Sequence, residues 1–355
     1  MSTTLGLASP TATELPDPTQ SEQLVFCSDP ELGLQAVIAV DDTTLGPGLG
    51  GVRFRPYPTL WDGAREAQRL ARAMTAKNAL AGLPYGGAKS VILDLAPRDR
   101  DGLMRRFGEF VARLGGTYLP GVDMGTTATD LALMGAAGAD ATCSTEDPSP
   151  WTARGVFASI KASAVHGLGA SDLTGVRVLV QGVGHVGHSL ATQLAAAGAL
   201  VSVSDVDLDR ARVVADEVGG AVVAPDQVIG ADVDIWAPCA TAKVVTSEVV
   251  DRLRCRLIAG AANDTLSEES VADELQAAGI LYVPDFVANA GGVIHIHGLR
   301  VGWDHDRIGQ AVDAIGDRVE SLLTEAEGAH TTALAAADLQ RDRILAAGGV
   351  QLQAS

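Results

Sequence analysis

The sequence predicts an α/β protein of two domains, one of them built on a doubly wound parallel sheet. The chain has 355 residues, whereas a single hydrophobic core stops growing at roughly 250–300 residues. Short apolar strands alternate with helical segments through the second half, which is typical of βαβ units. A glycine-rich turn at residues 182–187 joins one such strand directly to a helix.

The composition excludes several classes of partner. A formal net charge of -18 and a pI of about 4.7 would repel nucleic acid and anionic membranes, so we expect neither to bind. No apolar run reaches the ~18 residues that span a bilayer. Residues 1–20 are rich in Ser, Thr and Pro and have no basic segment, which predicts a disordered tail rather than a signal peptide. The expected location is therefore the cytoplasm.

Four cysteines lie far apart in the chain and form no C-x-x-C pair. Zinc sites and disulfide frameworks usually show closely spaced or regularly patterned cysteines. We therefore predict neither a metal site nor a disulfide framework.

The first half predicts strands, helices and glycine-rich turns. Apolar clusters predict one or two strands within residues 22–40, and apolar residues at helical spacing predict a helix over 62–80. Residues 86–89 (GGAK) read as a turn that leads into a short strand over 90–95. The remaining predictions are a turn at 45–53, a helix at 101–114 and a loop at 121–126.

The second half predicts the alternation of a parallel sheet. Strands are expected at 177–181, 200–204, 221–223, 233–237 and 256–259. Helices are expected at 154–166, 188–197 and 207–218, and the Ala-rich chain from about residue 305 onward reads as helical.

The turn at 182–187 predicts a dinucleotide site of the Rossmann type. Its residues are Gly182, Val183, Gly184, His185, Val186 and Gly187. In this motif the first glycine permits the turn, the second lets the pyrophosphate approach the backbone, and the third lets the helix pack on the sheet. Asp205 follows Gly182 by 23 residues, a position where a carboxylate binds ribose hydroxyls and repels a 2′-phosphate, so NAD is favoured over NADP. The alternative is a glycine-rich turn with an unrelated aspartate.

Two lysines and one aspartate are candidates for chemistry. Only four of the 26 basic residues are lysines, and Lys77 and Lys89 lie twelve residues apart. A second cation or burial can lower the pKa of an amine, so Lys89 could accept a proton or, as an ammonium, polarise a carbonyl. Asp123, between two glycines, is the candidate partner carboxylate. Two surface lysines and a turn-capping aspartate explain the same spacing equally well.

Longer segments resemble the Glu/Leu/Phe/Val dehydrogenase family, above all its valine, leucine and phenylalanine branches. The likeness covers roughly residues 25–300 and follows the order of the family's motifs. The segments that carry it are 45–53 (LGPGLGGVR), 72–79 (RAMTAKNA), 82–89 (GLPYGGAK), 123–126 (DMGT), 148–152 (PSPWT), 237–240 (APCA), 260–263 (GAAN) and 284–292 (PDFVANAGG).

The resemblance implies roles for these residues. Lys77, helped by the backbone of Gly50 and Gly51, would bind the substrate carboxylate. Lys89 would activate water and polarise the 2-oxo carbonyl, and Asp123 would be the general acid and base. Asn263 would lie beside both substrate and nicotinamide. The other residues implied in holding the cofactor are Thr152, Cys239, Ala240 and Asn289.

The resemblance also implies an organisation and a reaction. Residues 21–145 and 306–355 would form a substrate-binding and oligomerisation domain, residues 146–305 the NAD domain, and the active site the cleft between them. The reaction would be oxidative deamination of a hydrophobic L-amino acid of the Val, Leu or Phe type to a 2-oxo acid and ammonia, and its reverse. A homo-oligomer, a dimer or larger, is implied.

The substrate side chain is less well defined by the sequence. The motifs contain no extra cation for a glutamate side chain, so a hydrophobic one is expected; Val293 and Ile296 could line its pocket or simply pack in the core. Departures from the family pattern at Val52, Ala88, Arg154 and Asp264, and a segment between 130 and 148 that looks shortened, leave open an unusual substrate such as tryptophan in a specialised pathway. A non-catalytic NAD-binding homologue is the second alternative.

A third alternative is a 2-hydroxy-acid dehydrogenase. That chemistry usually needs a His–carboxylate pair with an arginine clamp. The sequence offers only His295, His297 and Arg300 for it.

Overall fold

A computed structural model describes residues 16–142 and 146–348 of the chain. Its residues form two compact units: one contains residues 16–79, 84–142 and Gly348, and the other Leu80–Leu83 and Glu146–Ala347. Most of the tail predicted over residues 1–20 lies outside the described residues. At its end, Pro18–Gln20 form a short 3-10 helix, because the Asp17 side chain accepts a hydrogen bond from the Thr19 N–H.

The first unit is a five-stranded mixed sheet. Its strand order is β1-β2-β4-β3-β5, with β1 and β4 antiparallel to β2, and β4 and β5 parallel to β3. The strands are β1 (Gln23–Asp29), β2 (Leu34–Asp42), β3 (Gly48–Arg55), β4 (Gly86–Leu93) and β5 (Tyr118–Val122). The helices are α1 (Leu60–Leu80), α2 (Arg100–Ala112) and α3 (Ala128–Ala136).

Both faces of the middle of this sheet are buried. Successive strand residues point to opposite faces, and β2 accordingly sends Ala36 and Ile38 into a core with α2 and α3. Val37 and Ala39 pack instead with Ala64 and the other small residues of α1. We call this second side of the sheet the α1 face. The continuous apolar run of β2 follows from burial on both sides.

Two segments predicted as turns are strands. The glycines of residues 45–53 and 86–89 predict turns. In the structure most of the first segment lies in β3, and the second segment lies in β4. A Cβ built at Gly50 would overlap the carbonyl oxygen of Ala88, and one at Gly87 would overlap the backbone of Thr75 on α1. The glycines therefore allow close packing of strands and helix, a use of glycine that does not require a turn.

The second unit is a six-stranded parallel sheet of order β11-β10-β9-β6-β7-β8. Numbered from β6, this is the order 3-2-1-4-5-6 of the doubly wound dinucleotide-binding fold. The strands are β6 (Arg177–Gln181), β7 (Leu200–Ser204), β8 (Ala221–Val222), β9 (Ile235–Pro238), β10 (Leu257–Ile258) and β11 (Leu281–Tyr282). The five predicted strands are confirmed, and the short β11 is additional.

Ten helices of this unit are described. The predicted helix at 154–166 begins earlier, at Ser149, and Pro150 occupies a first-turn position where proline is tolerated. The helices are α4 (Ser149–Leu168), α5 (His185–Ala196), α6 (Leu208–Val218), α7 (Ser247–Val250), α8 (Val271–Ala277), α9 (Asp285–Ala288), α10 (Gly291–Arg300), α11 (His305–Asp313), α12 (Ile315–Ala329) and α13 (Ala333–Ala346), with a 3-10 helix at Pro225–Gly230.

The C-terminal helices belong to the second unit in this structure. Residues 306–347 group with residues 146–305, and the domain that the resemblance implies for 306–355 stays a prediction. Helices α11 and α12 pack against α4, and Arg154 of α4 forms two hydrogen bonds of 2.6 Å with Asp313 of α11. Residues 349–355 lie outside the described part of the chain.

The described residues contain neither a membrane-spanning helix nor a cluster of metal-binding side chains. No described helix is long and apolar enough to cross a membrane. Within residues 16–142 and 146–348, no three His, Cys, Asp or Glu side chains are grouped to hold a metal ion. Cys27, Cys239 and Cys255 are free thiols, whereas Cys143 lies outside the described residues.

The close packing of β3 on β4 predicts a difference between two glycines of the first unit. Gly50→Ala should lower the free energy of unfolding by about 2–3 kcal/mol, because the backbone of β4 must shift to admit a methyl group. Gly135→Ala on α3, where the added Cβ meets nothing within 4 Å, should change stability by less than about 1 kcal/mol, in the stabilising direction. Urea unfolding followed by circular dichroism checks both, and equal destabilisation would contradict this account of β3.

Candidate active site

Lys89 and Asp123 form a buried ion pair in the first unit. Lys89 lies in the middle of β4 and Asp123 directly after β5, so they flank β3 on either side. The Lys89 Nζ lies 3.0 Å from Oδ2 of Asp123, with side-chain exposures of 8% and 20%. The sequence left open whether these residues were an isolated lysine and a turn cap, and the structure brings them together.

The lack of a side chain at Gly51 makes space for the Lys89–Asp123 pair. This glycine lies on β3 between the two strands, and a Cβ built there would lie 2.6 Å from the Asp123 Cβ and 3.1 Å from the Lys89 Nζ. Any side chain at Gly51 would therefore push lysine and aspartate apart. The resemblance implies substrate binding by the backbone of Gly50 and Gly51, which stays a prediction.

A second cation, Arg53, also bonds to Asp123, although the sequence patterns predicted no role for it. Its Nε donates a hydrogen bond of 2.8 Å to Oδ2 of Asp123, and its Nη1 lies 2.5 Å from Oε1 of Glu66 on α1. The signal that could have found it is strand periodicity. Arg53 is two residues beyond Gly51 on β3, hence on the same face.

The charges around Asp123 decide its ionisation. Burial by itself would raise the pKa of Asp123, but the nearby charges of Lys89 and Arg53, with the hydrogen bonds that both donate, hold it at about 2. Asp123 is therefore a carboxylate at neutral pH.

The turn at residues 123–126 fixes the position of Asp123. The Thr126 hydroxyl accepts a hydrogen bond from the Asp123 N–H and donates one of 2.8 Å to the Val52 carbonyl on β3. Gly125 has a φ of +81°, which favours glycine, and a Cβ there would overlap the carbonyl oxygen of Phe54. The loop predicted at 121–126 thus contains the end of β5 followed by a turn tied to β3.

Lys77 lies partly buried in the last turn of α1. The next residue, Asn78, is fully buried and donates a hydrogen bond of 2.7 Å to the carbonyl of Gly86, at the start of β4. The carboxylate-binding role of Lys77 stays a prediction.

The departures at Val52 and Ala88 lie on the other face of the sheet. Both side chains are fully buried in the core with α2 and α3, whereas Gly51 and Lys89 belong to the α1 face. Neither side chain contributes to the charged site. The departure at Asp264 has a φ of +53°, a conformation that aspartate and asparagine tolerate better than most residues.

In the second unit, the turn at 182–187 has the geometry of a phosphate cradle. Gly182 has a φ of +93°, and a Cβ at Gly187 would overlap the Gly182 carbonyl oxygen, so α5 packs tightly on the turn. A Cβ at Gly184 would meet nothing within 4 Å, so the space above the middle of the turn is open. These features fit a dinucleotide pyrophosphate at the N-terminus of α5. Val183 is buried, Val186 is partly buried and His185 is exposed.

Asp205, directly after β7, is tied to that turn. One oxygen accepts the Val183 N–H and the other the Asp207 N–H, both at 2.9 Å. Arg210 lies 3.6 Å away, and the Asp205 side chain is 7% exposed. The structure thus holds this carboxylate rigidly beside the predicted cofactor turn.

Asn263 and Asn289 of the second unit lie together, and their roles toward the cofactor stay a prediction. Asn289 donates from Nδ2 to Oδ1 of Asn263 at 3.0 Å and to the Ala261 carbonyl at 3.1 Å. Its Oδ1 is buried and has no hydrogen-bond partner among the described residues. An acceptor left in this state fits a ligand amide donor such as a nicotinamide carboxamide.

The other predicted cofactor residues are split between two places. Cys239 and Ala240 contact the glycine turn, because a Cβ at Gly187 would lie 3.3 Å from the Cys239 Cβ and one at Gly182 2.5 Å from the Ala240 Cβ. Burial raises the pKa of the Cys239 thiol to about 12, so it is unreactive. Thr152 lies on α4, with its hydroxyl 2.7 Å from a Cβ built at Gly292.

The residues considered for a 2-hydroxy-acid dehydrogenase lie in the second unit, where Nε2 of His295 is 3.3 Å from Oε2 of Glu146. His295 is completely buried and stacks on Trp151 at 5.4 Å between ring centroids. His297 packs edge-on against Trp303, and burial lowers its pKa.

Val293 and Ile296 are half-buried on α10.

The strand order, the open glycine turn and the acidic residue after β7 define a dinucleotide-dependent dehydrogenase fold. Comparison with known proteins agrees. The Glu/Leu/Phe/Val dehydrogenase dimerisation domain matches residues 21–138, and the Glutamate/Leucine/Phenylalanine/Valine dehydrogenase domain matches residues 209–299. The chain is 39% identical to leucine dehydrogenase from Thermoactinomyces intermedius over 305 residues, which are 84% of this chain and 83% of that protein.

L-Tryptophan dehydrogenase from Nostoc punctiforme is also similar, with 37% identity over 91% of this chain and 93% of that protein. Its crystal structure superimposes with a TM-score of 0.83, covering 94% of this chain and 98% of the other. The chain therefore belongs to the Glu/Leu/Phe/Val dehydrogenase family, and the predicted resemblance is confirmed. It is an amino-acid dehydrogenase by class.

The two cations on Asp123 predict a pH-dependent contribution to stability. Because the pKa of Asp123 lies below the ordinary value of 3.8, its pairing stabilises the protein above pH 4 and is lost as the pH falls towards 2. Asp123→Asn should lower the free energy of unfolding by about 2 kcal/mol at pH 6. This difference should shrink by about 1 kcal/mol at pH 3. Urea titrations of both proteins at each pH check it, and a constant difference would show that Asp123 is not held ionised by its neighbours.

Proposed function

We propose that this chain catalyses the NAD-dependent oxidative deamination of a hydrophobic L-amino acid to a 2-oxo acid and ammonia, and the reverse reductive amination. The observation that carries the proposal is the buried Lys89–Asp123 ion pair. This pair occupies the space next to Gly51 on β3, where a side chain would not fit. It supplies an amine and a carboxylate in one site of a family member, as acid–base work on an amino group requires.

The residues divide the work between binding and proton transfer. Lys77 would bind the substrate carboxylate, with the backbone of Gly50 and Gly51. Lys89, as an ammonium, would hold the 2-oxo oxygen or the water that replaces the amino group. Asp123, a carboxylate at neutral pH, would accept a proton from that amino group.

The second unit would hold the cofactor. The turn from Gly182 to Gly187 would bind its pyrophosphate, while Thr152, Ala240, Asn263 and Asn289 would hold the nicotinamide half. When bound, the cofactor supplies the acceptor for the hydride that the substrate loses. The buried, unpartnered Oδ1 of Asn289 supports this arrangement.

A hydrophobic substrate side chain is supported by two observations. Val293 and Ile296 present half-buried aliphatic side chains on α10, and similar proteins bear the names leucine and tryptophan dehydrogenase. Tryptophan is the second candidate, because the L-tryptophan dehydrogenase from Nostoc punctiforme matches over almost its whole length.

A direct spectrophotometric assay tests the reaction and the substrate together. NADH absorbance is followed with ammonia and 3-methyl-2-oxobutanoate, 4-methyl-2-oxopentanoate, phenylpyruvate, indolepyruvate or 2-oxoglutarate. We expect ammonia-dependent oxidation with a hydrophobic acid and a loss of at least about 100-fold in Lys89→Ala. The best acid distinguishes the aliphatic from the aromatic substrate. Equal activity of Lys89→Ala, or oxidation without ammonia, would contradict the proposal.

We also propose NAD rather than NADP as the cofactor, on the basis of Asp205. Its carboxylate is held by two backbone N–H groups beside the glycine turn, where it would repel a 2′-phosphate. Asp205→Ala removes that charge and leaves Arg210 in place. We expect the ratio of kcat/KM for NADP to that for NAD to rise by about 10- to 100-fold.

Asp209→Ala is the matched control for this measurement. Asp209 lies on α6 with a side chain that is 91% exposed, and it pairs with Arg212. Its loss should leave the cofactor ratio within about twofold, because a surface ion pair contributes little. A similar gain for NADP in both variants would show that net charge, and not Asp205, sets the preference.

A homo-oligomer formed through the first unit completes the proposal. The family domain that matches residues 21–138 is described as a dimerisation domain. Strand β1 lies at the edge of its sheet, with Phe26 exposed and in edge contact with Trp61.

A further inference from the structure

Arg53 is the permanent cation of the first unit's site. Its guanidinium is always charged in proteins, and its side chain is 12% exposed. Burial would lower its pKa, but the carboxylates of Asp123 and Glu66 raise it further above its ordinary value. Arg53 therefore joins a site carboxylate to a helix carboxylate through a charge that pH does not remove.

We propose that Arg53 is a positioning residue that keeps Asp123 ionised and oriented when Lys89 turns its donors to the substrate. The inference rests on the proposed function of Lys89 and Asp123. It adds a residue that would touch neither substrate nor cofactor and would act only through Asp123.

The geometry requires such a residue. In the structure both Arg53 and Lys89 bond to the same oxygen of Asp123, Oδ2. If Lys89 binds a 2-oxo oxygen or water, it no longer neutralises Asp123 fully. A carboxylate with 20% exposure and no cation would be protonated more easily. The Arg53 bond remains and leaves Oδ1 to the amino group.

The other groups around Asp123 do not replace Arg53. Lys89 approaches from β4 and Arg53 from β3, while Glu66 of α1 binds the far side of Arg53. From β5 itself comes Tyr118, whose pKa is raised by burial and, less strongly, by the charge of Asp123. Arg53 and Lys89 are thus the two cations that contact Asp123 among the described residues.

The alternative is that Arg53 only ties β3 to α1 through Glu66. Two variants separate these roles. Arg53→Gln removes the cation from Asp123, whereas Glu66→Gln breaks the tie to α1 and leaves the cation in place. Arg106→Gln is the matched control, because Arg106 also bridges two carboxylates of the first unit, those of Asp29 and Glu109.

The experiment measures kcat and KM for oxidative deamination from about pH 3 to 10, with the best substrate of the panel, because the acid limb set by Asp123 lies at low pH. Arg53→Gln should lower kcat by about tenfold or more with KM within about threefold. It should also move the acid limb of the kcat profile up by about 1–2 pH units, because protonated Asp123 cannot act as a base. Arg53→Lys should restore part of this shift, since it keeps the charge without the guanidinium fork.

Glu66→Gln and Arg106→Gln should leave the acid limb where it is in the wild type. NADH binding, followed by fluorescence, should be the same in all variants, because the cofactor residues lie in the other unit. An Arg53→Gln profile that superimposes on the wild type overturns the proposal. So does a Glu66→Gln profile that shifts as far as that of Arg53→Gln.

Two further outcomes are distinguishable. If Arg53→Gln does not fold, the Arg53→Lys and Glu66→Gln variants decide. A shifted acid limb in Arg53→Lys with an unshifted one in Glu66→Gln supports the proposal. The reverse result overturns it. A wild type without ammonia-dependent activity overturns the proposed function and this inference together. An active wild type with an unshifted Arg53→Gln profile overturns this inference alone.

Discussion

Strands β3 and β4 of the first unit approach one another so closely at Gly50 that no side chain fits there. Gly50 meets the backbone of Ala88, Gly87 meets α1, and Gly51 faces the ends of Lys89 and Asp123. Strand β3 lies between β4 and β5. A side chain at Gly51 would therefore separate Lys89 on β4 from Asp123 after β5. The fold of the unit and the charge arrangement of its site therefore depend on the same glycines.

The two cations that bond to Asp123, Lys89 and Arg53, differ in their chemistry. Lysine is a compact, flexible ammonium, whereas arginine is a rigid fork that never loses its charge. The structure assigns the flexible cation to β4 and the rigid one to β3, and both bond to a single oxygen of Asp123. A buried carboxylate normally binds protons more tightly, and here two cations reverse that tendency. The turn through Gly125 and Thr126 holds the carboxylate where both can reach it.

The second unit achieves a comparable result with backbone groups. Asp205 is held by two N–H donors beside the glycine turn, and Asn289 is fixed by Asn263 and the Ala261 carbonyl. Three departures from the family pattern lie outside both candidate sites. Val52 and Ala88 pack in the core, away from the charged face, and Arg154 ties α4 to α11. None of these three removes a group from either candidate site.

The sequence by itself determined the elements with strong periodicity and the motifs with fixed local geometry. The helix at 62–80, the strands of the second half and the turn at 182–187 depend on neighbouring residues, so their patterns could be interpreted directly. Lys89 and Asp123 were found as residue types, but only the tertiary structure decided that they form a pair, since 34 positions separate them and they meet across an intervening strand. The same holds for Arg53, whose partners lie directly after β5 and on α1, and for the segments at 45–53 and 86–89. Glycine predicts a turn when only chain neighbours are considered, whereas here strands and a helix distant in sequence occupy the space that its missing side chain leaves. The packing of residues 306–347 on the second unit was likewise decided by long-range contacts that no local pattern records.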